Sequence, residues 1–352
     1  MKDRMTSAER MEKLIKGEKI DRIPVIPHMG IYAAKICNIP YDQYYLDPDI
    51  AYQTQTWALE IHEHDGGYGY SIPEGYAQEF GGEIEIVKGF TSIVPKVIRR
   101  PVEKPSDLDK LTFPKIEEGF ASGRILQFNR NRYRDGHGVG ITAGSAMSIA
   151  VQIMGMERLM RAMIRDPQFV HAVMEFCSDF LIYMGKFYVE EFSDVTVAGG
   201  AAYPVESSVI IPPKKFEEFS VPYINKVFGA FRDMGIKIGS IHLCGDHYGN
   251  LPVWRDMIEI DKRTIITTGP EMDLRDIVKV LGDDYIMGGN LRNATLESGN
   301  YMDVYNEAKE LIEKYKYLPG GYVMTPDCDL TVSCPAGNLH SMIKAARDFG
   351  SY

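Results

Sequence analysis

His242 and Cys244 stand two residues apart in the string IGSIHLCGD, and Cys328 follows far downstream in MTPDCDL. One imidazole and two thiolates form a donor set suited to zinc. Three protein ligands plus an exchangeable fourth position distinguish a catalytic zinc from a closed structural one. The long stretch between Cys244 and Cys328 excludes a finger or ribbon, whose ligands lie close in sequence. It suits ligands gathered at one rim of a barrel, each just after a strand.

Other residues read differently. Cys37 and Cys177 read as core thiols. Cys334 precedes Pro335 near a helix N-terminus, where thiolates are favoured. Asp246 and His247 follow the His–Cys pair closely and read as groups that orient ligands. His28 ends the first strand, and Tyr203 and Glu206 follow the fourth. These three are the candidates for lining a substrate pocket.

The elements that must position them follow from patterning. Thr6 and Glu9 form a capping box, Ala8, Met11, Leu14 and Ile15 an apolar stripe, and Gly17 a stop. Asp47-Pro48 and Asp166-Pro167 open helices, by the preference for proline at the first helical position. GGEIEIV (81–87) alternates as one arm of an antiparallel ribbon that returns through 93–98. Strands are expected at 22–27, 67–71, 138–142, 194–200, 236–242, 264–268, 285–288 and 321–324. Helices separate most of them. Eight strands alternating with helices predict a closed TIM (β/α)8 barrel, of α/β class, with active groups after the strands' C-terminal ends. The chain is read as a single domain, 1–352, in which 1–105 supply a helical and β-ribbon elaboration with the first barrel strands.

Bulk properties narrow the function. The 352 residues are 45% hydrophobic, enough for a large core, and the net charge of −10 argues against a nucleic-acid surface. Five cysteines are too few for a disulfide scaffold. No apolar leader and no run long enough to span a bilayer occur, so no membrane role and a cytoplasmic location are expected. GxGxxG and GxxxxGK[ST] strings are absent.

TSAERMEKLIKGEKIDRIPV near the start, YIMGGNLRNATLESG (285–299) and the closing CPAGNLHSMIKAARDFG resemble the uroporphyrinogen decarboxylase superfamily. The resemblance spans essentially the whole chain and implies a TIM barrel. Its decarboxylases carry an arginine-containing string after the first strand that holds porphyrinogen carboxylates. Here that place reads IPHMGIYAAKICNIP, with Lys35 its only cation. A substrate with many carboxylates wants bidentate guanidinium donors. The corrinoid-linked methyltransferase branch is instead marked by HxC and a distant Cys binding zinc, which His242, Cys244 and Cys328 match. Asp327 stands where that branch more usually has glycine. The resemblance implies a zinc-dependent methyltransferase, its corrinoid (cobalamin) supplied by a partner protein. The second substrate would be a small thiol or a methylated oxygen or nitrogen compound. A tetrapyrrole decarboxylase and a non-catalytic zinc-containing binding protein are the alternatives.

Overall fold

Six strands run parallel and in sequence order around the centre of the computed structural model, which describes residues 3–352. A separate antiparallel ribbon, β1 (Glu83–Glu85) with β2 (Lys96–Arg99), lies outside them. The parallel strands are β3 (Val139–Gly144), β4 (Val197–Ala202), β5 (Lys237–Leu243), β6 (Ile265–Thr268), β7 (Ile286–Gly288) and β8 (Tyr322–Val323). Helices cover the outside, as parallel strands with crossover connections require. The longest is Pro167–Glu191, opened by Asp166, whose side chain accepts from the Phe169 amide. The first helix, Ser7–Lys16, has the capping box of Thr6 and Glu9, and Gly17 ends it at φ 73°.

The first two barrel strands depart from expectation. Arg22 to Pro27 form no ladder, only isolated bridges: Val25 beside Met324 and Arg22 against Ser351. Pro24 and Pro27 have no amide hydrogen to give a ladder. The segment still docks on the barrel, since Ile26 N donates to Met324 O and Met324 N to Pro24 O, both at 2.9 Å. Residues 67–71 form no strand either. The Gln55 side chain takes the place of a neighbouring strand there, accepting from Gly69 N at 3.0 Å and donating to Gly69 O at 2.6 Å. The helix Ser122–Arg134 is the largest element missed in the sequence. Its chain is mostly polar, but Leu126 and Phe128 are fully buried and anchor it.

The interior packs tightly around β4, VAGGAA. A side chain at Gly199 would meet Ile238 Cδ1 at 3.0 Å and Ala143 Cβ at 3.2 Å, so small residues let the neighbouring strands close in. Large side chains fill the layer between strands and helices, among them Phe180, Phe228 and Trp254. Each such burial stabilises the fold by roughly 1.5–3 kcal/mol. No helix among the described residues is long and apolar enough to cross a membrane.

Candidate metal centre

Strand β5 delivers His242 near its end, and Cys244 follows at once. Gly245 then turns the chain at φ 82°, a left-handed value that favours glycine. A Cβ there would also crowd Ser207 Oγ at 3.1 Å. Cys328 arrives from the segment after β8. The donor atoms of His242, Cys244 and Cys328 all lie within 4.8 Å of one another.

The His242 imidazole is held in one orientation. The parallel register sets His242 opposite Thr267 on β6. With Nδ1 as the protonated nitrogen, His242 donates to Thr267 Oγ1 at 2.9 Å. Its Nε2 is buried, makes no well-formed hydrogen bond and lies against the Cys328 thiol. A buried polar nitrogen so poorly bonded is uncommon and calls for an explanation; a metal supplies one. Donors around a tetrahedral zinc stand roughly 3–4 Å apart, given bonds of about 2.0–2.3 Å. The set present is therefore near the required spacing, and two sulfurs with one nitrogen suit zinc.

The thiols are unequal. Cys244 is held below its usual value because Cys328 hydrogen-bonds to it. Cys328 is pushed well up, first by that same bond. Of the two, Cys244 gives up its proton more readily, and a metal would displace the protons the pair holds on binding. Cys334, read as a possible reactive thiol, is buried and pushed up to about 11 by that burial. Cys177 is fully buried, and burial raises its thiol far above the ordinary range. Cys37 is half-buried, and burial raises it as well.

His247 acts on the Cys244 backbone. Burial lowers its pKa to about 4, so it is neutral near pH 7. Its Nε2 hydrogen points to Tyr203 O at 3.1 Å and Cys244 O at 3.2 Å, tying the β4 and β5 exits together. Asp246 anchors the same turn. Its carbonyl accepts from the Ser207 and Ser208 hydroxyls, and its carboxylate accepts from Tyr248 N.

The three pocket candidates fall in two places. His28 sits beside the centre: its ring centroid lies 6.5 Å from that of His242, and its Nε2 is buried without a partner. Burial lowers its pKa, against the pull of Asp329. Tyr203 and Glu206 are fully buried and line a small enclosed cavity with Ser145 and Gly144. Tyr203 OH and Glu206 Oε2 have no partner there. Burial pushes Glu206 up to about 7.

Sequence reasoning missed Thr267, because facing residues depend on register. It also passed over Glu271 and Asp329, whose carboxylates, with that of Asp327, act against the Cys244 thiolate. Burial raises Asp327. The alternation of acids around Cys328, in PDCDL, was the available signal.

The chain is 24% identical to the methylcobamide:CoM methyltransferase MtbA of Methanosarcina acetivorans, covering 98% of each. It is 24% identical to the methylated-thiol–coenzyme M methyltransferase of Methanosarcina mazei, over 99% of this chain and 91% of that one. A solved methyltransferase structure from Methanosarcina mazei superposes with a TM-score of 0.81 at 18% identity, covering 98% and 99% of the two chains, and shares the TIM-barrel fold. The profile of the uroporphyrinogen decarboxylase (URO-D) family matches residues 6–349, and the chain belongs to that family.

Proposed function

We propose that this protein is a zinc-dependent methyltransferase. It moves a methyl group between a corrinoid carried by a partner protein and a small thiol or methylated oxygen or nitrogen compound. The observation that carries the reading is the convergence of His242, Cys244 and Cys328, whose donor atoms lie within 4.8 Å of one another at the barrel's C-terminal rim. His242, Cys244 and Cys328 would hold the zinc. When bound, zinc makes a thiol at its open position acidic enough to ionise near pH 7, or draws electron density from a methylated heteroatom.

The chain's own residues do the rest. Thr267 fixes the His242 ring, and His247 holds the Cys244 carbonyl. His28, whose ring lies 6.5 Å from that of His242, would hydrogen-bond a substrate atom beside the centre. Tyr203 and Glu206 line a separate buried cavity after β4. Transfer to a thiol breaks a cobalt–carbon bond and forms a sulfur–carbon bond. The bonding pair stays with cobalt, and the thiol proton goes to solvent. In the opposite direction cobalt's electron pair takes the methyl, and the leaving heteroatom takes a proton.

The relatives' names support the corrinoid partner, and the barrel works as one cytoplasmic domain in this reading. A decarboxylase reading finds little support in the first loop, whose one cation, Lys35, lies over the Phe90 ring at 5.8 Å. Metal analysis together with a methylcobalamin absorbance assay tests the proposal. About one zinc per chain and a thiol- or donor-dependent change in cobalamin absorbance are expected. A protein that binds no zinc, or leaves the spectrum unchanged with every thiol and methylated donor and with corrinoid proteins supplied, defeats it.

A further inference from the structure

We propose that the metal centre selects a substrate whose metal-binding atom is followed, a few bonds away, by a positively charged group. This rests on the methyltransferase reading above and names the class of its second substrate. Three carboxylates bracket the thiols from two sides. Asp327 and Asp329 flank Cys328 in the chain. Glu271 folds its carboxylate against the Gly269 backbone just past β6, into space that any side chain at 269 would fill. The Asp327 Cβ lies 3.9 Å from that same point. On the other side, Asp329 Oδ2 lies 3.9 Å from where a Gly30 side chain would begin, on the loop that carries His28. Glu271 and Asp329 are exposed, and Asp327 is half-buried.

Nothing neutralises this charge among the described residues. Basic side chains on the neighbouring loops and helices are committed elsewhere: Arg292 to Glu307, and Arg275 and Lys314 to Asp273. Lys35 lies over Phe90. Zinc itself does not help, because two cysteine thiolates cancel its charge. A ligand with a second negative group would therefore enter a field that repels it, and a ligand with an ammonium group would enter one that attracts it. Anionic thiols are disfavoured for the same reason, although the open metal position alone would accept any thiol.

Three thiols that differ only in their tails separate these cases: cysteamine, 2-mercaptoethanol and 2-mercaptoethanesulfonate. Their dissociation constants would be measured by calorimetry on protein loaded with one equivalent of zinc, and on a Glu271→Gln/Asp329→Asn variant. Both replaced side chains are exposed and unpaired, so the fold should survive, and zinc content checks the centre directly. The expected order of affinity is cysteamine, then mercaptoethanol, then the sulfonate, with about tenfold or more between the ends. The variant should compress that ratio severalfold while keeping its zinc, which separates the carboxylates' effect from the thiols' own acidities. Zinc-loaded protein that binds the sulfonate as tightly as cysteamine, or a ratio unchanged in the variant, would overturn this proposal alone. Zinc-loaded protein that binds none of the three would overturn it too. Failure to bind zinc at all would bring down the methyltransferase reading with it.

Discussion

The two ends of the barrel treat charge in opposite ways. At the end where strands enter, Arg10, Asp21, Arg22 and Asp65 are all nearly fully buried, and each is paired. Arg22 bridges Asp65 at 2.6 Å and Asp3 at 2.8 Å, and Asp65 also accepts from Val25 N. Burial alone would raise the Asp21 carboxyl. The Arg10 guanidinium and the amides of Arg4 and Met5 outweigh it and hold the group far below its ordinary 3.8. At the end where strands exit, the pattern reverses. His28 Nε2, Tyr203 OH and Glu206 Oε2 are buried without partners, and Glu271, Asp327 and Asp329 lack counter-ions among the described residues. Paired charge locks a fold. The entry end has unpartnered nitrogens of its own at His62 and His64, so the difference lies in the charges, which are paired there and left without counter-ions at the exit end among the described residues.

Breaking the exit end should have the largest functional effect. Cys244→Ser replaces a thiolate by a neutral hydroxyl. A structural zinc gains roughly 10–16 kcal/mol from all its ligands, so one is worth roughly 3–4 kcal/mol. Zinc affinity should fall on the order of a hundredfold to a thousandfold, and cobalamin-dependent transfer should disappear. Circular dichroism should stay unchanged, and full zinc retention would remove Cys244 from the centre.

Breaking the entry end should destabilise the fold and spare the chemistry. Asp65→Ala leaves Arg10 and Arg22 buried beside a lost partner, a change that costs about 3–5 kcal/mol. The urea midpoint should drop accordingly, while zinc stoichiometry in the folded protein stays at wild type. The depressed Asp21 carboxyl adds a pH signature. Its stabilisation is present above pH 3.8 and is lost as pH falls below that toward its folded-state value. An acid limb steeper than that of an Asp21→Asn variant is the expected reading.

Glu206 sharpens the contrast in the other direction. Its pKa rises from 4.5 to about 7 on folding. The folded state therefore holds a proton that the unfolded chain releases, and stability falls as pH rises from about 4.5 to about 7. Above pH 7 the cost is about 3 kcal/mol at most. Glu206→Gln should be roughly 1–3 kcal/mol more stable than wild type at pH 8 and close to it at pH 5, by denaturant titration. A variant equally destabilised at both pH values would show that the carboxyl is fully accommodated.

The smallest expected effect is that of Thr267→Val. It keeps the side chain's volume and removes the acceptor that fixes the His242 ring. Zinc affinity should weaken about tenfold to a hundredfold, the usual scale for a group that orients a ligand. No change in a competitive chelator titration would mean that the ring is held by packing alone.

The amino-acid sequence determined the donor types, the helix starts and the alternation of strand and helix. Those signals are local: Thr6 with Glu9, Asp47 and Asp166 act on amides within one helical turn. His242 and Cys244 could be paired on paper because they share one strand end, and Cys328 joined them as a thiol expected just after a later strand, a grouping the family resemblance then matched. The first two barrel strands were misread because Pro24, Pro27 and the glycines near 67 keep an extended path without a ladder. Only the tertiary structure decided what stands across from what. Register put Thr267 opposite His242, and the folding of the sheet from β5 to β8 put Cys328 beside Cys244. It also enclosed Tyr203 and Glu206 while leaving His28 next to the centre. The reason is that facing partners, burial and the field of neighbouring charges depend on distances between residues far apart in the chain. No local preference encodes those distances.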